Sequence, residues 1–120
     1  MEAVLRQLLG CSSAEIINHQ NQTGDTALSL AAERGHANIV GIVLSSDTDI
    51  SPNLPNKSGH TPLITAIYLK HYDVLRTLIG SDKVDVNYLY EEGTVLTWAA
   101  KWDAHQAVEL LLTRTDLRVD

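Results

Sequence analysis

Apolar residues along this chain recur at spacings of three and four, and short polar stretches containing glycine interrupt them at regular intervals. Leu28 and Ala31 are followed by Ile39-Val40 and Val43-Leu44. Leu63 and Ala66 are followed by Val74-Leu75 and Leu78-Ile79, and Leu96 and Ala99 by Ala107-Val108 and Leu111-Leu112. Such spacing lines one face of a helix. Each block therefore predicts two short helices, the first pair at about Thr26–Glu33 and Ala37–Leu44. Thr26, Thr61 and Thr94 open the blocks, 35 and then 33 residues apart. A period of this size marks a repeat architecture, in which each unit buries its apolar face only against its neighbours.

The block openings read "GDTALSLA" from Gly24, "GHTPLITA" from Gly59 and "GTVLTWA" from Gly93. The threonine stands where a first helix begins, and its hydroxyl can accept from an unpaired amide of the first turn. Pro62 follows at the first helical position, where a missing N–H costs nothing. The alanines at 31, 66 and 99 are small because the paired helices approach closely there. The glycine before the threonine suits a turn of positive φ. Leu28, Leu63 and Leu96 are expected to be buried at equivalent places. Trp98, which aligns with Leu30 and Thr65, is expected to pack inward against the stack.

On these motifs the chain resembles the ankyrin repeat family, marked by T-P-L-H-x-A. The matches are Thr61-Pro62-Leu63 with Ala66, Thr26-Ala27-Leu28 with Ala31, and Thr94-Val95-Leu96 with Ala99, together with "AAERGH" from Ala31 and "VDVN" from Val84. The resemblance implies an all-α solenoid of stacked helix-turn-helix units joined by β-turn hairpin loops. It organises the chain as one array: a leading partial repeat at 1–23, then repeats at 24–58, 59–92 and 93–120, the last truncated. Leu5, Leu8 and Leu9 read as the second helix of a preceding repeat, and Leu110 to Val119 as an unfinished end. The chain departs from the family in two respects. The histidine after the leucine is replaced by Ser29, Ile64 and Thr97, which removes an expected hydrogen bond between neighbouring turns. The glycine between the helices, kept as Gly35, becomes Lys70 and Asp103. Lysine tolerates a left-handed backbone poorly, so strain is expected in the second repeat. The turn within Ser45 to Asn53, which carries two extra residues and Pro52, is the least determined.

Composition narrows the function. The formal net charge is −6, without a run of lysines or arginines. Nucleic acid and anionic membrane both select for a basic footprint. The one cysteine, Cys11, excludes an internal disulfide and suits a reducing, cytoplasmic setting. No apolar run approaches the roughly 20 residues that span a bilayer. His19, His36, His60, His71 and His105 show none of the close spacings of metal ligands. His36 and His71, at equivalent positions, read as local hydrogen-bonding groups. Glu91 and Glu92 read as a solvated tip, and Ser12-Ser13 and Ser45-Ser46 lack an activating partner. The scattered glycines form no phosphate-cradling loop. Asn87 lies where ankyrin-like proteins can be hydroxylated, but it reads first as an asparagine that orders its own turn. No catalysis, cofactor or metal is expected.

A repeat array presents a surface. In the ankyrin family the hairpin tips and the exposed face of each first helix contact partners. Carried over by position, that surface is Gln22, Thr23, Asp25, Glu33 and Arg34 in the first repeat. In the second it is Lys57, Ser58, His60, Tyr68 and Leu69, and in the third Tyr90, Glu91, Lys101 and Trp102. The expected function is therefore a non-catalytic module binding another protein or a peptide segment. The alternatives are a regulatory or spacer segment of a larger enzyme or signalling protein, or a fragment that self-assembles through its ends. The expected state is a monomer unless those ends associate.

Overall fold

The computed structural model describes residues 17–46 and 50–114. Within them lie helices α1 (Ala27–Glu33), α2 (Ala37–Ser46), α3 (Pro62–Leu69), α4 (Tyr72–Ile79), α5 (Val95–Lys101) and α6 (His105–Leu111). A hairpin of β1 (Leu89–Tyr90) and β2 (Gly93–Thr94) precedes α5, with Leu89 opposite Thr94 and Tyr90 opposite Gly93. The readings at Leu5 to Leu9, Cys11 and Ser12-Ser13 fall outside the described residues, as do part of the Ser45–Asn53 turn and the end of the Leu110–Val119 stretch.

The threonines do what their positions predict. Thr26, Thr61 and Thr94 accept from the amides of Ser29, Ile64 and Thr97 at 3.1, 3.3 and 3.1 Å. A cap of this kind stabilises its helix by about 1 kcal/mol. Pro62 sits at the start of α3. At the position of the family histidine, Ser29 and Thr97 place their hydroxyls 3.2 and 2.8 Å from the capping threonine hydroxyl. The hydroxyls thus restore a local bond where the histidine is missing, while Ile64 is fully buried instead.

The helices stack in two layers. Inner helix α1 packs on α3, and α3 on α5; outer helix α2 packs on α4, and α4 on α6. Leu28 and Leu63 are 1% and 2% exposed, and Ala66 and Ala99 are fully buried. Leu96 departs from the expected equivalence and is only half-buried. Among the described residues no helix pair lies beyond α5 and α6 to cover it. Val108 is likewise half-buried and Leu112 exposed, whereas Val40, Leu75, Leu44 and Ile79 at the matching positions are buried.

Each turn between paired helices is left-handed: Gly35 has φ +75°, Lys70 +60° and Asp103 +55°. The strain expected at Lys70 is therefore present. Gly35 is bare for a second reason, since a Cβ there would lie 3.0 Å from His71 Nδ1. The His71 ring occupies that space and its Nε2–H donates to the carbonyl of Glu33 at 3.0 Å. His71 is thus a tie between repeats, not a local group. Asparagines make further ties. Asn18 accepts from the amide of Ser51 at 2.7 Å, and Asn53 accepts from that of Asp85 at 2.7 Å while donating to the Lys83 carbonyl at 2.9 Å.

The hairpin tips explain the position of the site. Asn21 accepts from the amides of Thr23 and Asp25, and Asn56 from those of Ser58 and His60. The two tips join through the Lys57 amide and the Thr23 carbonyl at 2.9 Å. Gly24 and Gly59 have φ near +80° two residues before their threonines. In the third repeat that place belongs to Glu92, at φ +67°, preceded by Glu91 at φ +46°. Gly93 is therefore not the counterpart of Gly24 and Gly59, as the block alignment suggested. It serves a different need.

Candidate partner-binding surface

Gly93 is bare because of Trp98: a Cβ at Gly93 would lie 2.5 Å from the indole Nε1. The indole lies over the hairpin and its Nε1–H donates to the Tyr90 carbonyl. Trp98 was expected to face the stack; the space left by Gly93 instead draws it to the hairpin side, half-buried. Trp102, which caps α5 one turn later, stands 5.3 Å from it, centroid to centroid.

From these two indoles the rings close a circuit. Trp102 meets Tyr68 of α3 edge-on at 5.0 Å. Tyr68 lies 6.5 Å from His60, and His60 stands 5.0 Å from Tyr90. Tyr90 returns to Trp98 at 5.5 Å. The His60 Nε2 and the Tyr90 hydroxyl are hydrogen-bonded at 2.8 Å. Edge-to-face aromatic pairs at such distances each contribute about 0.5–1.5 kcal/mol beyond the area that they bury. Lys101 sets its Nζ 4.7 Å from the centre of the Trp98 ring, a cation–π contact. Removal from water, and secondarily the charge of Glu91, raises the Tyr90 phenol above its ordinary pKa of 10.0.

The circuit is held yet open to solvent. Tyr68 is 55% exposed, while His60, Tyr90, Trp98 and Trp102 are half-buried. Leu69, 42% exposed, adjoins Tyr68 and lines a groove with Asp25, Ser29, Glu33, Asn56, His60 and Thr65. Of the residues carried over by position, His60, Tyr68, Tyr90, Lys101 and Trp102 come together in one cluster, with Leu69 beside Tyr68 and Glu33 across the groove. Arg34 is exposed as the cap of α1 and does not line that groove. Trp98 was missed as a surface residue. The available signal was its spacing of four from Trp102, which puts both on one helical face.

Among the described residues every buried side-chain nitrogen or oxygen has a partner, and no three acids, histidines or cysteines are grouped to hold a metal. Among the described residues no helix is long and apolar enough to cross a membrane. What this surface offers a ligand is aromatic area, a few hydrogen-bonding groups and two carboxylates.

Comparison with known proteins agrees with the stacked helix pairs and capped turns. The family model for ankyrin repeats, three copies, matches residues 1–90, and the chain belongs to the ankyrin repeat family. It is 35% identical over 69 residues to ankyrin repeat-containing protein ITN1 of Arabidopsis thaliana, covering 58% of this chain and 12% of that protein. It is 33% identical over 100 residues to neurogenic locus notch homolog protein 1 of Xenopus tropicalis, covering 82% of this chain and 4% of that protein. The human transient receptor potential cation channel subfamily A member 1 is 29% identical over 115 residues, or 95% of this chain and 10% of its own. The chain thus spans a small part of each of these relatives. Among solved structures it matches a chain in the complex of a predatory endopeptidase from Bdellovibrio bacteriovorus with an immunity protein. That match has a TM-score of 0.69 and 29% identity, over 94% of this chain and 56% of that one.

Proposed function

We propose that this chain is a non-catalytic docking module that binds a segment of another protein on the concave face of its second and third repeats. Tyr68, Tyr90 and Trp102 are its anchors, with His60, Leu69 and Lys101 around them. The observation that carries the reading is the closed circuit of five partly exposed rings spanning both repeats. Tryptophan and tyrosine dominate binding energy at interfaces because they bury large area at small entropic cost. Rings already held by one another lose little further freedom on docking. Two features of the comparisons support a protein ligand: membership of a repeat family that presents surfaces, and a neighbour solved in a protein complex. The reading takes the setting to be cytoplasmic and the repeats to divide at 24–58, 59–92 and 93–120. The small share of its relatives that the chain spans favours a second reading, in which the same surface is one arm of a longer regulatory protein.

The test begins with capture of binding proteins from a lysate on the immobilised chain, followed by titration of a purified captured protein. Trp102→Ala is expected to weaken that complex by about 2 kcal/mol, a hot-spot value, or about 30-fold, while the chain stays folded with a melting temperature lowered only by the loss of its ring contacts. A folded Trp102→Ala that binds with unchanged affinity would move the partner to another face.

A further inference from the structure

The groove beside the ring circuit is asymmetric in charge. Its first-repeat wall carries Asp25 and Glu33, its second-repeat wall Tyr68 and Leu69, and no lysine or arginine lines it. Asp25 accepts from the Thr23 hydroxyl at 2.7 Å and from the Asn56 side-chain amide at 3.1 Å. Both donors are neutral, and among the described residues Asp25 forms no ion pair. Among the described residues the Glu33 carboxylate has no ion pair or hydrogen bond; the bond from His71 goes to its backbone carbonyl. The nearby Lys101 is placed over Trp98. The chain as a whole carries a formal −6.

Building on the docking reading above, we propose that the partner segment places a lysine or arginine in this groove while its apolar side chains meet the rings. A long basic side chain suits both walls at once. Its methylene stem packs on Tyr68 and Leu69 while its charged head reaches Glu33 and Asp25. The exposed Tyr68 ring adds a cation–π surface. An acidic segment would instead bring like charges together, which costs affinity and slows encounter. The rings supply most of the affinity, and the groove supplies the choice of partner.

The experiment is a selection of random 12-residue peptides displayed on phage against the full chain. Lysine and arginine are expected in clear excess over aspartate and glutamate among the selected sequences. The most frequent peptide, synthesised and titrated, is expected to bind Glu33→Gln about three- to fivefold more weakly, as befits a partly exposed charge pair. Glu33→Gln keeps the backbone carbonyl that His71 uses, so folding is preserved. No basic excess, or unchanged affinity for Glu33→Gln, overturns this inference and leaves the docking reading standing. Unchanged affinity for a folded Tyr68→Ala variant overturns the docking reading itself, and so does a selection that enriches no peptide.

Discussion

At the scale of the residue, backbone signs and side-chain clearances decide what each position tolerates. Lys70 sits at φ +60°, ψ +36° and caps α3. A left-handed backbone costs a residue with a Cβ about 1–2 kcal/mol, part of which glycine returns through its freer unfolded chain. Lys70→Gly should therefore stabilise the fold by up to about 1 kcal/mol in a urea melt, and a loss of stability would contradict this account of the corner. Gly93 gives the opposite case. Gly93→Ala would drive a methyl into the Trp98 indole, an overpacking that costs about 1–3 kcal/mol. It should also change the tryptophan emission spectrum; an unaltered spectrum would place Trp98 elsewhere. Tyr90 adds a pH dependence at the alkaline end. Its folded pKa is raised above 10.0, chiefly by removal from water. Folding thus favours the neutral phenol. That contribution is complete below pH 10 and is lost as pH rises through the folded value. Denaturation midpoints should therefore fall above pH 10, and less so in Tyr90→Phe.

The helix pair is the next scale, and there the sequence was most legible. Thr26, Thr61 and Thr94 marked the starts of α1, α3 and α5 because a capping hydroxyl and the apolar run after it are both local signals. Long-range effects escaped. Nothing near Leu96 in the sequence distinguishes it from Leu63; its exposure depends on what stacks beyond it. Leu63→Ala should accordingly cost about 2–5 kcal/mol, and Leu96→Ala clearly less, in the same denaturant series. Equal costs would contradict the observed difference in burial. The ties made by His71, Asn18 and Asn53 were also illegible, because each side chain bonds to backbone some thirty residues away.

For the whole molecule, the fold could be read from period and caps, and so could the rings of the candidate surface apart from Trp98. His60, Tyr68, Tyr90 and Trp102 were reached by carrying the repeat positions over. Trp98 was misplaced because alignment with Leu30 and Thr65 assumes equivalent turns, and the third hairpin differs by the shift of its glycine to position 93. Among the described residues no three acids, histidines or cysteines are grouped to hold an ion, so dialysis against a chelator should leave the melting temperature unchanged; a clear fall would revive the histidines as ligands. The central claim is that a partner covers the ring circuit. Trp98 and Trp102 are the chain's two tryptophans, and both lie in it. Acrylamide quenching of the intrinsic fluorescence, with and without a saturating non-tryptophan peptide from the selection, therefore reports on this surface alone. The account predicts a lower quenching constant and a shifted emission maximum in the complex. Identical quenching in the free and saturated protein would contradict it.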